Sequence, residues 1–194
     1  MFLGIGIASH AHRSLSQHML GHVVLMSLVA PLAAAWMLRA GETLPLRRPH
    51  LGLVTGLQIL ALWLLHAPSV MHAVMISGAV RVAASTGLFA VAALFWLAVF
   101  NRGRGDQWLA LAALLVTGKL FCLLAALLVF APRPLYSLIC YGGVSGADAL
   151  AAQQFAGLVM VVICPVTYVA TGLFMASRLL SDLSGFGSSQ DLRT

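Results

Sequence analysis

The stretch SLSQHMLGHVVLMSLVAPLAAAWMLR, residues 14–39, sets how the rest of the chain is read. Between His22 and Arg39 it carries no ionisable side chain. About 20 apolar residues in a helix cross a bilayer, so a membrane helix is expected over 17–38, closed by Arg39. At its opposite end His18 and His22 stand four apart. On a helix they share one face, with Cβ atoms about 6 Å apart. Two imidazoles at that spacing suit a single metal ion. Equally, they suit the headgroup level, bonded to water and carbonyls.

The whole chain repeats this pattern. Of 194 residues, 61% are hydrophobic and 8% charged, against about 25% charged in soluble domains. Mean hydropathy is +0.98. This is the composition of a multi-pass membrane protein, and the fold class is read as an all-α bundle of about five helices. The further helices are expected over 50–66 (stopped by Pro68), 82–100, 107–130 (closed by APRP) and 151–178. Residues 1–182 read as one domain, with no internal repeat or long linker. The tail 183–194, rich in Gly and Ser, is expected to be disordered. Residues 2–8 (FLGIGIA) are too short for a secretory signal, and Arg13 follows them instead of preceding them. The first helix is therefore expected to stay attached.

The net charge of +6 reads as an orientation signal. No basic cluster is interleaved with aromatics, which argues against nucleic acid. Arg39, Arg47, Arg48, Arg102, Arg104, Arg178 and Arg193 fall on one side of the bilayer; Arg13, Arg81 and Arg133 fall on the other. The positive-inside rule places the first group in the cytoplasm. The N-terminus is then outside and the C-terminus inside, as five crossings require. His10, His12, His18, His22, His66 and His72 collect at the outer face, and only His50 lies on the inner side. This segregation is the main functional signal of the sequence.

Further candidates extend it. His66 and His72 (HAPSVMH) flank Pro68, whose break allows the chain to fold back over the first helix. Either both contribute to a site, or His66 caps helix carbonyls and His72 is solvated. Gln153, Gly157, Met160 and Cys164 fall on one inward-running stripe, with Gln154 beside its start. Gly157 admits close approach of another helix. Met160 and Cys164 are soft donors suited to Cu(I), or gap fillers at a helix interface. Lys119 lies mid-helix in VTGKLFC, where a charge costs a few kcal/mol and no acid lies at similar depth. Cys122, Cys140 and Cys164 form no CxxC pair. There is no GxGxxG, P-loop, HExxH or GxSxG, and the acids are too few for two-carboxylate chemistry, so an enzyme is not expected.

HMLGHVVLMSLVAPL (18–32), LLHAPSVMHAVM (64–75), LFWLAVF (94–100) and QQFAGLVM (153–160) occur in an order that resembles the CtaG family. These are bacterial membrane proteins that assemble haem-copper cytochrome c oxidase. The chain departs from the family pattern in places. It lacks a His pair ahead of the FW stretch, and Ala152 stands where an acid commonly precedes the Gln pair. The resemblance implies a non-enzymatic role in the bacterial inner membrane. Its implied partners are oxidase subunits and periplasmic copper chaperones, with copper handled at the outer face. Read with the residues, the candidate ligands are His18, His22, His66, His72 and Met160. Gln153, Gln154, Gly157, Cys164 and Lys119 are the candidates for a supporting shell or pathway. Competing readings are a b-type haem protein using His22 and His66, a copper transporter, and a metal-free scaffold.

Overall fold

The computed structural model describes residues 15–41, 50–143 and 145–191. His10, His12, Arg13, Glu42, Arg47, Arg48 and Arg193 lie outside them. The described residues form helices and connecting turns with no strand. In chain order the helices are α1 (Leu15–Val24), a π-helical segment (Leu25–Val29), α2 (Ala30–Arg39), α3 (Leu51–Leu65), α4 (Pro68–Ile76), α5 (Gly78–Phe100), α6 (Gln107–Phe130) and α7 (Gly146–Asp191).

Four spans are long and apolar enough to cross a membrane: 15–39, 78–100, 107–130 and 146–181. The bent pair α3 and α4 makes a fifth when the two helices are counted as one span. The outer surface fits this reading. Leu32, Leu115, Leu173 and Phe130 are all more than half exposed, a cost in water but a match to acyl chains.

The first span carries an irregularity with a clear cause. Pro31 has no N–H to give the carbonyl of Ser27, four residues earlier. The backbone accommodates this as a π segment, in which the Ala30 N–H reaches Leu25 O, five residues back. The indole Nε1–H of Trp96 donates to Met26 O within that segment at 3.0 Å. Trp96 and Phe95 are fully buried, so the FW stretch of α5 is core that satisfies the first span. Across the irregularity Leu15, Met19, Val23, Met26, Ala30 and Ala34 keep one continuous buried face.

The second span is broken. Pro68 forces Ala67 into extended backbone (φ −64°, ψ 135°) and itself opens α4. The two helices meet at 72°. Ser77 then starts α5 by accepting a hydrogen bond from Val80 N at 3.4 Å, four residues earlier than the apolar run suggests. At the far end α7 continues to Asp191, taking in most of the stretch expected as a tail.

α6 and α7 form an antiparallel pair whose register is fixed by glycines. A Cβ on Gly157 would lie 2.9 Å from Val129 Cγ2 and 3.0 Å from Ala125 O and Leu128 Cβ. One end of the crossing therefore depends on a missing side chain. Towards the middle, Gly118 faces Tyr168 with more room. The glycine expected to admit a neighbouring helix does so.

Gly157→Ala is expected to destabilise the detergent-solubilised protein by about 1–3 kcal/mol, because a backbone carbonyl cannot move aside. Gly56→Ala, in open space on α3, should be neutral or stabilising. Thermal unfolding of the two variants beside the native chain checks this.

Candidate functional site

α1, the α3–α4 corner, the loop after α6 and the start of α7 meet at one end of the bundle. The side chains gathered there include three of the predicted histidines. His18, His22 and His66 are all buried, each at most 6% exposed. The rings of His18 and His22 lie 4.1 Å apart between centroids, as the i, i+4 spacing predicts. His22 and His66 are 6.4 Å apart. Both ring nitrogens of His22 are buried and accept or donate no hydrogen bond.

His66 is held more tightly. Its Nδ1 lies 2.7 Å from Leu62 O. A carbonyl only accepts, so Nδ1 carries the hydrogen. In the neutral ring Nε2 then presents a lone pair, and it points at Met19 Sδ from 3.1 Å. A thioether sulfur also only accepts. The nitrogen and sulfur lone pairs therefore face each other. A proton on Nε2, or a soft cation shared by nitrogen and sulfur, would complete the pair.

The corner that carries His66 is clamped from the loop side. The helix break frees the His66 carbonyl, and Tyr136 Oη donates to it at 3.2 Å. Tyr141 Oη accepts from Tyr136 N at 3.2 Å and donates to Gln153 Oε1 at 2.8 Å. The same Oε1 accepts from Leu135 N at 2.8 Å, and Gln153 Nε2 donates to Leu128 O at 3.1 Å. Gln153 is fully buried. Its amide is spent on joining α6, the loop and α7, one turn from the Gly157 crossing. Positive φ at Gly142 and Gly143 (71° and 90°) lets the loop turn back into α7. Burial raises the phenol pKa of both Tyr136 and Tyr141, with Cys140 adding in the same direction. Both phenols therefore stay protonated, able to donate, through the physiological range.

The other sequence candidates divide as follows. His72 on α4 and Gln154 on α7 are exposed. Met160 and Cys164 are buried on the inward stripe of α7, which runs on to Tyr168. Tyr168 Oη accepts from Gln58 Nε2 at 2.7 Å, so the stripe ends in a buried polar contact with α3. Lys119 is exposed on α6. Cys140 is buried, with its Sγ 3.6 Å from Ser137 Oγ. Among the described residues, no set of three or more His, Cys, Asp or Glu side chains is arranged to hold one metal ion. Sequence reading missed Met19 and Tyr136. For Met19 the signal was present: it follows His18 directly in HMLGH, on the buried face of α1. For Tyr136 nothing local marked it.

Fold and site together define a multi-pass helical membrane protein with a buried imidazole–thioether cluster at one end. The chain belongs to the cytochrome c oxidase caa3 assembly factor family, whose model matches residues 1–182. No match was found among curated proteins or solved structures.

Gln153→Ala is expected to cost about 1–3 kcal/mol for each backbone group it leaves unpaired, read as a lower unfolding midpoint. The clamp also has a pH signature. The folded phenols hold their protons longer than those of the unfolded chain, so stability should be flat below about pH 9 and fall above about pH 10. Tyr136→Phe should shallow that fall, which unfolding midpoints measured up to about pH 11 will show.

Proposed function

We propose that this protein assists assembly of a caa3-type cytochrome c oxidase by holding copper at the histidine end of its bundle and passing it on. The family supplies the assembly role. The single observation that supports copper is the face-off of His66 Nε2 and Met19 Sδ at 3.1 Å. Neutral nitrogen and thioether sulfur are donors that Cu(I) accepts and harder ions do not favour. His22, buried with both nitrogens unpartnered, is the natural third donor, and His18 stands beside it. Few strong donors suit a cargo site, because the ion must leave by ligand exchange. His72 and Met160, the other sequence candidates, would serve only as entry or exit contacts.

On this reading the role is not catalytic. The histidine end faces the periplasm of a bacterial inner membrane, where copper chaperones and the oxidase's copper-bearing subunits meet it. Gln153, Tyr141 and Tyr136 act by positioning the His66 corner.

Copper content of the detergent-purified protein, loaded with Cu(I) and washed, tests the reading. The native chain should retain near-stoichiometric copper with mixed nitrogen and sulfur neighbours by X-ray absorption. His22→Ala/His66→Ala should lose it, and Met19→Leu should lose the sulfur signal and weaken binding. Copper retained in full by the double variant, or no copper in any chain, would overturn the proposal.

A further inference from the structure

Lys119 takes no part in the histidine site. It sits at the middle of α6, 12 residues from Gln107 and 11 from Phe130, about 18 Å along the axis from either end. The side chain is exposed, and it lines a groove of about 500 Å³ between α6 and α7. The rest of the lining is mainly apolar. Its floor and rims include Gly118, Pro165, Gly172 and Ala176, with Leu115 and Leu173 beside them. Gly172 and Ala176 are one turn apart on α7, the small-residue spacing at which a helix backbone can approach closely. Gly118 contributes a second small position across the groove.

Among the described residues no carboxylate lies at the depth of Lys119. The chain's five acids are Glu42, Asp106, Asp148, Asp182 and Asp191. Asp106 precedes α6 and is ion-paired with Arg102 at 4.0 Å. Asp148 opens α7. Asp182 and Asp191 follow the apolar span that ends at 181, and Glu42 follows α2. Among the described residues none lies in the middle of a span, so charge complementarity at the depth of Lys119 points to a carboxylate on a different protein. An intramembrane cation facing outward is costly unless something at that depth receives it.

We infer that the α6–α7 groove docks a transmembrane helix of another protein, one that carries an Asp or Glu at mid-bilayer depth to meet Lys119. The small residues admit the helix backbone, and Lys119 fixes its depth and identity. The assembly role makes a subunit of the oxidase the partner class; that assignment alone rests on the proposed function, and the docking itself does not depend on copper.

The test uses the full-length chain in phosphatidylcholine vesicles with a Leu/Ala-rich transmembrane peptide carrying one central Glu. Matched peptides with Gln or Leu at that position serve as comparisons. Energy transfer between labelled peptide and labelled protein reports association. The Glu peptide should bind on the order of tenfold more tightly than the other two. Lys119→Met should abolish the difference, Lys119→Arg should keep it, and Gly172→Leu should weaken all three peptides. Equal binding of the Glu and Leu peptides, or a Glu preference that survives Lys119→Met, would overturn the inference. In cells, Lys119→Met should lower oxidase assembly while the purified variant keeps its native copper content. Loss of copper in that variant would instead show that Lys119 serves the histidine site, against the inference.

Discussion

The backbone of α7 can lie against the Ala125 carbonyl of α6 only because residue 157 has no side chain, and the histidine end depends on that contact. One turn from Gly157, Gln153 reaches Leu128 O on α6 and gathers Leu135 N and Tyr141 Oη from the loop. Tyr141 in turn receives the amide of Tyr136, whose phenol holds the carbonyl of His66. The position of the imidazole at the α3–α4 corner is thus transmitted from a glycine on α7 through a loop. Each link satisfies a backbone group that a helix end or turn leaves open, and that is costly to bury unpaired.

The corner exists for a related reason. Pro68 ends α3 before that helix is long enough to cross alone, and α4 leaves it at a bend of 72°. At this corner His66 Nδ1 stays on its own helix through Leu62 O, and Nε2 is aimed at Met19. The result is a buried cluster of borderline and soft donors, without the acids of hydrolytic chemistry. The proposed copper role rests on this cluster, while the family match carries the assembly role alone.

The histidine cluster and Lys119 are separated in depth and direction. The histidines are buried at one end, while Lys119 faces outward halfway along. Between them lies Tyr168, packed against Trp96, Phe121 and Phe95 with ring centroids 5.1, 5.3 and 6.0 Å away. This aromatic core joins α5, α6 and α7 and is tied to α3 through Gln58. The proposed copper site and the proposed helix-docking groove therefore occupy different parts of the bundle.

The sequence by itself determined the membrane class, the four long apolar spans, the helix stopped at Pro68, the pairing of His18 with His22, and the close approach at Gly157. These follow from local properties: apolar length, i, i+4 spacing, and the absence of a Cβ. Only the tertiary structure decided which distant groups meet. It brought His66 inward and left His72 exposed, because the direction of a bend is set by what packs around it. It set the Met19 sulfur against the His66 ring, and it committed the Gln153 amide to backbone partners. It also turned Lys119 into a groove. Periodicity states which residues share a face. Which neighbour that face meets depends on how the helices cross, and here a glycine, a proline and a tyrosine far apart in the chain fix those crossings together.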